Sequence, residues 1–297
     1  MHAPEQMLIG SNWLHVLGSR YLTSWLAAQQ WRPALTTYQT GKLFQVGRPD
    51  DMRISVFERT FNCSMGLWVS QNFRMSSKYQ PWRLENALAI GVLHPRYDGL
   101  HIPRTTCITG DLNIHHLAVE DSGRPAFVAT HFKCPATLGE RASFTPLWQP
   151  ELVNSLIPED RCHLKRLAMR DGRSRHVIVV SQNDVAADYR NRRNDGGCVT
   201  DLASKDIVAS GLPIPHSPSW YHDKLWGLNS GTGKFDSIDM EQGRFAPPGF
   251  VRHPTWFDLR GQLRRGHAFV AEQRSDVQRS GTMTNHESQS PNFEFPI

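Results

Sequence analysis

Cysteines are few in this sequence, and no two of them have metal-binding spacing. The 297 residues contain five cysteines, none of them three positions from another. This scatter excludes a CxxC-type zinc site and does not indicate a disulfide framework. The five are Cys63, Cys107, Cys134, Cys162 and Cys198. Long apolar runs are lacking too, since no stretch approaches the roughly 18 apolar residues of a membrane span. We therefore predict a cytoplasmic protein without a membrane partner.

Charge of one sign is not gathered in blocks. The chain has 33 Lys and Arg against 28 Asp and Glu, a net charge of +5. Its densest basic cluster, residues 190–193, lacks the interleaved aromatic residues of a surface that stacks nucleic-acid bases. We interpret this cluster as a solvated loop, and we predict no nucleic-acid partner.

Aromatic and turn-forming residues are plentiful, which favours a β architecture over a helical bundle. Residues 211–250 show the pattern most clearly. Three apolar strand candidates, 224–228, 234–240 and 244–246, are separated by Gly-containing turns at 230–233 and 241–243. Short strands joined by such turns form an antiparallel meander, because glycine adopts the positive φ of tight hairpin turns. This stretch predicts one blade of a propeller.

Units led by a histidine recur along the chain, each followed by an apolar strand, an acidic turn and a second apolar strand. Aligned on the apolar residue before the turn, Leu117, Leu167 and Trp220 lie 50 and 53 residues apart. A period of this length, with several strands per unit, is typical of propeller blades. We therefore predict an all-β fold, a β-propeller of four-stranded antiparallel blades over residues 23–250, with a short N-terminal helix. Residues 1–22 are predicted to be a poorly ordered lead-in.

The tail, residues 251–297, has a different character. It is polar, rich in arginine and without a strand pattern. We predict that it is disordered or out of frame and that the propeller is incomplete at its C-terminus. Our hypothesis is that a frameshift replaced the last blade, and the nucleotide sequence of the gene decides it.

Several motifs are similar to those of a known family. They are TTYQTGKL at 36–43, TGDLNIH at 109–115, PEDRCHL at 158–164, PHSP at 215–218 and LNSGTG at 228–233. Over residues 24–250 the chain resembles the bacterial conserved hypothetical protein family 03032. The resemblance implies a propeller-like fold and brings no assigned activity. Two departures from the family lie beside the candidate site residues: Lys165 and Arg166 replace Asn-Gly, and His116 replaces Asp.

Histidines are the main candidates for a functional site. A propeller brings the starts of its innermost strands to a central channel, so we predict that His115, His163 and His216 meet at one channel mouth. Neutral imidazoles bind transition metals, and three of them leave coordination positions open for water or substrate. Asp111 is a candidate further ligand, or a group that orients an imidazole. One divalent transition metal is the candidate cofactor. The alternative is that these are turn histidines bonded to neighbouring backbone, since the repeat predicts three histidines with or without a metal.

Other polar residues near strand ends are candidates for binding an anionic or peptide-like ligand. They are Tyr38, Gln39, Arg104, Arg161 and Asn229. For Arg161 the alternative is an ion pair with Asp160. We predict a protein that binds a small molecule or peptide at the channel mouth, with metal-dependent hydrolase or oxygenase activity. A non-catalytic propeller with a protein partner, or an inactive truncated family member, is the alternative.

Overall fold

The computed structural model describes residues 21–29, 32–38, 40–47, 54–69, 73–94, 97, 99–151, 153, 155–192, 194–232, 234–246, 257–258 and 270–273. Helix α1 spans Leu22–Gln29, and short 3-10 helices lie at Thr130–Phe132 and Asp188–Arg190. The first eleven strands are β1 (Ala34–Thr37), β2 (Lys42–Gly47), β3 (Ser55–Thr60), β4 (Leu67–Val69), β5 (Phe73–Ser76), β6 (Pro81–Asn86), β7 (His101–Thr106), β8 (Ile114–Val119), β9 (Pro125–Ala129), β10 (Cys134–Thr137) and β11 (Thr145–Pro146). The others are β12 (Leu164–Arg170), β13 (Arg173–Val179), β14 (Gly197–Asp201), β15 (Ile207–Leu212), β16 (Pro215–Tyr221), β17 (Lys224–Asn229), β18 (Lys234–Asp239), β19 (Arg244–Phe245), β20 (Phe257–Asp258) and β21 (Val270–Gln273).

The strands form five sheets in chain order. Four sheets are four-stranded antiparallel meanders, β4 to β7, β8 to β11, β12 to β15 and β16 to β19. The fifth has the order β20-β21-β1-β2-β3, with β21 parallel to β1. Each meander starts with the strand that lies at one edge of its sheet. Consecutive strands pair because short turns connect them, as in a β-hairpin.

The sheets pack side by side through their first strands. β4 contacts β8, β8 contacts β12, and β12 contacts β16. Apolar side chains fill the space between neighbouring sheets; for example, Val128, Leu164 and Val177 are fully buried in one cluster. Successive four-stranded sheets that converge on their first strands are the blades of a β-propeller. The predicted fold class is confirmed.

The local predictions agree with the structure in the meander and differ at one sheet boundary. The strands expected within residues 211–250 are β17, β18 and β19. The sequence also predicts two strands, at 54–59 and 65–70, that pair with each other. They correspond to β3 and β4, which belong to different sheets. Their connection passes through Cys63, whose φ of 51° turns the chain into the next sheet rather than back along β3.

The lead-in and the tail fall mainly outside the described residues. In the tail, the described residues are those of β20 and β21, both in the first sheet. Disorder of either end, and the frameshift, stay predictions. No helix among the described residues is long and apolar enough to cross a bilayer.

Candidate functional site

A backbone feature repeats where the chain enters four sheets. Cys63, Asn113, His163 and Ile214 have positive φ angles of 51°, 48°, 50° and 43°. The four positions are equivalent, because the backbone carbonyl of the residue before each one accepts a hydrogen bond from a backbone N–H further along the chain. The donors, in the same order, are Lys78, His131, Ser181 and Gly231. Left-handed backbone is unfavourable for residues other than glycine and persists only where surrounding structure holds it. We call these four residues the entry ring.

A second set of equivalent residues lies two positions further along each chain segment. These residues are Met65, His115, Lys165 and His216, and all are at least 95% buried. In β8 and β12 the pairing register shifts around His115 and Lys165, so each is the extra residue of a β-bulge. A bulge redirects a side chain relative to regular pairing. We call these four residues the inner ring.

The two rings change the interpretation of the three predicted histidines. His163 belongs to the entry ring, whereas His115 and His216 belong to the inner ring. His115 and His216 lie within β8 and β16 instead of before them. His163 and His216 both lie four residues before their anchors, Leu167 and Trp220, whereas His115 lies two before Leu117. The offset in the sequence therefore separates His115 from His163 but does not separate His216 from His163.

A pocket of about 330 Å³ opens beside the entry ring. Its walls combine aromatic, acidic and basic side chains. They are formed by Tyr38, Asn113, His131, Glu159, Asp160, His163, Ala186, Ala187, Tyr189 and Arg190. Pockets with convergent polar groups and aromatic walls are the usual sites for small ligands.

His163 is held on three sides within this pocket. Its Nδ1 is hydrogen-bonded to a carboxylate oxygen of Asp160. The ring of Tyr189 stacks on its face, with centroids 4.2 Å apart and an interplanar angle of 11°. The ring of His115 meets it edge-on at 5.2 Å. An Nδ1–H that donates to a carboxylate assigns the lone pair to Nε2, which makes Nε2 the basic atom of the ring.

The segment that carries Tyr189 is fixed by local hydrogen bonds. The Asp188 carboxylate accepts hydrogen bonds from Asn191 at 2.8 Å and Arg192 at 3.0 Å. These bonds lower the pKa of Asp188 below its usual range. The Ala187 N–H donates to the Asp160 carbonyl at 2.9 Å. The 3-10 helix at Asp188–Arg190 is thereby attached to the segment that carries the Asp160–His163 pair.

Arg161 supports the same attachment from outside the pocket. Its guanidinium lies 2.8 Å from a carboxylate oxygen of Glu159 and 3.1 Å from one of Asp184. It also donates to the Asp184 carbonyl at 3.1 Å. Asp160, the ion-pair partner expected from the sequence, is hydrogen-bonded to His163.

Two further predicted residues lie at or near the pocket. Tyr38 lines it, and its hydroxyl donates to the Asn113 side-chain oxygen at 3.4 Å. Asp111 forms a salt bridge of 2.8 Å with Lys78 and lies 3.4 Å from Nδ1 of His131, which lines the pocket. The structure therefore places Tyr38 at the site and Asp111 behind one of its walls.

Two further predicted residues, Arg104 and Asn229, are not among the described residues that line the pocket. Arg104 is on β7, the last strand of its sheet, and lies 3.4 Å from a Glu85 carboxylate oxygen. The Asn229 side chain accepts a hydrogen bond from the Thr232 N–H at 3.2 Å, which stabilises the turn after β17. Gln39 lies outside the described residues.

The inner ring contains a contact between two basic side chains. Nζ of Lys165, on β12, is in hydrogen-bond contact with Nε2 of His216, on β16. Within the described part of the chain, no group of three or more His, Cys, Asp or Glu is placed to hold a metal ion. The three-histidine metal site stays a prediction.

Comparison with known proteins identifies the family. A family model for a domain of unknown function, DUF4915, matches residues 20–261. The chain belongs to the DUF4915 family. No protein of curated function matches this DUF4915 chain.

Solved structures that resemble the DUF4915 chain include three enzymes. A catalytically inactive virginiamycin B lyase from Staphylococcus aureus with quinupristin is 13% identical; the match covers 80% of this chain and 73% of the lyase, with a TM-score of 0.44. A streptogramin B lyase is 8% identical, with coverages of 78% and 67% and a TM-score of 0.43. A luciferin-regenerating enzyme is 9% identical, with coverages of 72% and 73% and a TM-score of 0.38.

Three residues of the DUF4915 site were not predicted as functional from the sequence. The sequence indicates Asp160 only as an ion-pair partner for Arg161, and Lys165 only as a departure from a family pattern. Nothing in the sequence indicates a functional role for Tyr189. It lies 26 positions after His163, and no local pattern predicts that the two rings stack. The spacing of 50 residues between His115 and Lys165 was the signal that could have identified Lys165.

Proposed function

We propose that this DUF4915 protein binds a small polar molecule in the entry-ring pocket and that His163 acts on it as a general base. The observation that supports this is the hydrogen bond between Asp160 and His163 in a pocket wall. A general base needs a fixed orientation and a basic atom within reach of the proton that it removes. Asp160 and the stacked Tyr189 ring supply the orientation.

The chemistry that fits this arrangement is hydrolysis of a small molecule or peptide. Nε2 of His163 removes a proton from water as the oxygen attacks an acyl carbon, and the carbonyl π electrons move to the carbonyl oxygen. When this tetrahedral intermediate collapses, the bond from the acyl carbon to the leaving group breaks, and the His163 imidazolium returns its proton to the leaving group. The Asp160 carboxylate stabilises the imidazolium that forms, because opposite charges attract strongly where water is partly excluded. Tyr38 and Asn113, which also line the pocket, supply polar groups for orientation of the ligand. We also propose that DUF4915 and family 03032 describe the same group of proteins, since the matched residues nearly coincide.

The tautomer of His163 tests the general base without knowledge of the substrate. We expect nitrogen NMR of the histidine side chains at neutral pH to show His163 protonated on Nδ1 and unprotonated on Nε2. Asp160→Asn is expected to change that pattern. His222→Gln, a change at an exposed histidine in the turn after β16, is expected to leave it unchanged. Protonation of His163 on Nε2 alone in the unmodified protein would contradict the assignment.

Turnover is the second readout. On a panel of small esters, lactones and peptides, His163→Gln is expected to lower kcat by about 100-fold or more for any hydrolysed compound. Tyr189→Ala is expected to raise KM as well, because it opens one wall. Equal turnover by the unmodified protein and His163→Gln rejects the proposed role. Ligands that bind with no turnover favour a non-catalytic binding propeller.

A further inference from the structure

We propose that Arg190 selects the substrate of the entry-ring pocket, and that this substrate is an ester or amide of a small dicarboxylic acid with one carboxylate left free. The free carboxylate binds the Arg190 guanidinium while the acyl carbon lies at His163. This inference rests on the proposed function, since it names the substrate class of the same site. The sequence shows Arg190 only as part of the basic cluster 190–193, whereas the structure places it in a pocket wall.

The charged groups of the pocket wall favour an acidic ligand. The wall contains two carboxylates, and side chains of the fold engage both: Glu159 lies 2.8 Å from the Arg161 guanidinium, and Asp160 is hydrogen-bonded to His163. Among the described residues, no carboxylate lies within salt-bridge distance of Arg190. Its planar guanidinium is exposed to the pocket opening, and a guanidinium binds a carboxylate through two parallel hydrogen bonds.

The ring of Tyr189 holds Arg190 close to His163. The guanidinium carbon lies 5.4 Å from the Tyr189 ring centroid, and that ring stacks on His163 with centroids 4.2 Å apart. These two distances together are the upper limit of the separation between the guanidinium carbon and the His163 ring. A chain with about three carbon atoms between carboxylate and acyl carbon spans about 5 Å. With hydrogen bonds of about 2.9 Å to the guanidinium, such a ligand stays within this limit.

Asn113 supplies a donor for the acyl end of the same ligand. Its side chain lines the pocket, and the residue is 8% exposed. The Tyr38 hydroxyl donates to the Asn113 side-chain oxygen at 3.4 Å, so the amide N–H groups are the donors that Asn113 offers. A carbonyl that accepts from them is polarised for attack by the water at His163. The pocket therefore has a donor for each end of an acidic acyl compound.

Two esters of equal chain length test the substrate class. Mono-p-nitrophenyl glutarate and p-nitrophenyl valerate have the same leaving group and differ in the terminal carboxylate. We expect kcat/KM of the full chain to be about tenfold or more higher for the glutarate ester, since a charged pair forms in the pocket. Arg190→Gln is expected to lower the ratio of the two values to about one. Arg173→Gln, at an exposed arginine in the turn end of β13, is the matched control and is expected to keep the original ratio.

Glutarate, the acid that hydrolysis of the first ester releases, gives a readout that needs no turnover. Titration calorimetry of the full chain is expected to show saturable binding of glutarate at one site. Arg190→Gln is expected to weaken this binding about tenfold, because a charged hydrogen-bond donor is lost. Arg190→Lys keeps the charge without the two parallel donors and is expected to bind with intermediate affinity. If Arg190→Gln does not fold by circular dichroism, Arg190→Lys carries the same test.

The outcomes separate this inference from the proposed function. Absence of saturable glutarate binding to the unmodified protein overturns the acidic substrate class, as does equal binding by Arg190→Gln or an unchanged ester ratio in that variant. His163→Gln is expected to lose hydrolysis of the glutarate ester but to keep glutarate binding. Binding that depends on Arg190, combined with a His163 tautomer opposite to the one expected, would reject the general base alone.

Discussion

At the scale of single residues, burial decides the charge of His176 more than its acidic neighbour does. The side chain is fully buried on β13 and stacks on Trp220 with ring centroids 5.7 Å apart. Its Nε2 lies 3.7 Å from a carboxylate oxygen of Asp201. Loss of hydration lowers the pKa of His176 from 6.5 to about 4, although the Asp201 charge acts in the opposite direction. The imidazole is therefore neutral in the folded protein at neutral pH.

This lowered pKa predicts a loss of stability in mild acid. Between about pH 6.5 and pH 4 the unfolded chain takes up a proton at His176 more readily than the folded chain, so the free energy of unfolding falls as pH falls through this window. The difference between the pKa of His176 in the unfolded and the folded chain corresponds to at most about 3 kcal/mol in the free energy of unfolding. Urea unfolding from pH 7 to pH 4.5 measures it. His176→Phe keeps a ring against Trp220, and its free energy of unfolding is expected to decline less steeply with falling pH. The control His222→Gln, at an exposed histidine, is expected to decline as the unmodified protein does. An identical decline in His176→Phe would assign the effect to other groups.

At the scale of elements, the convergence of two blades depends on Gly66. The residue precedes β4 and lies against β8. A Cβ added there would be 2.7 Å from the backbone nitrogen of Leu117 and 2.8 Å from Cα of His116. Both distances are to main-chain atoms, which cannot rotate away. We expect Gly66→Ala to lower the free energy of unfolding by about 1–3 kcal/mol. Gly99→Ala is the control, since its added Cβ would meet only the His101 ring, at 3.5 Å from Cε1 and 3.9 Å from Nδ1. Equal urea midpoints for the two variants would show that β4 and β8 separate easily.

The same elements show what the sequence could predict. The meander β17 to β19 was predictable because alternating strands and Gly-containing turns are local signals. The two rings were not, since the entry ring has Cys63, Asn113, His163 and Ile214 where glycine would have signalled positive φ. The bulges at His115 and Lys165 likewise depend on pairing with the next strand. Asp160 and His163 are close in sequence, but a functional role for the pair could not be predicted from it. That role depends on a pocket, one wall of which is formed by the distant Tyr189.

At the scale of the whole molecule, the tail contacts both the first and the last sheet. β21 pairs in parallel with β1 over four residues, Ala34↔Val270 to Thr37↔Gln273. β20 pairs with β21 and contacts β16 of the last sheet. A propeller is stable when its last blade is joined to its first, because closure leaves no long unpaired edge. Without these two strands, β1 would become an edge strand.

Removal of the tail tests this closure against the frameshift hypothesis. A chain that ends at residue 250 is expected to unfold roughly 5–10 °C below the full chain and to aggregate through the exposed edge of β1. A chain that ends at residue 273 keeps β20 and β21 and is expected to match the full chain. Thermal unfolding and light scattering measure both effects. If the chain ending at 250 is as stable and as monomeric as the full chain, residues 251–297 contribute no closing strand, which is the outcome that a tail read out of frame predicts.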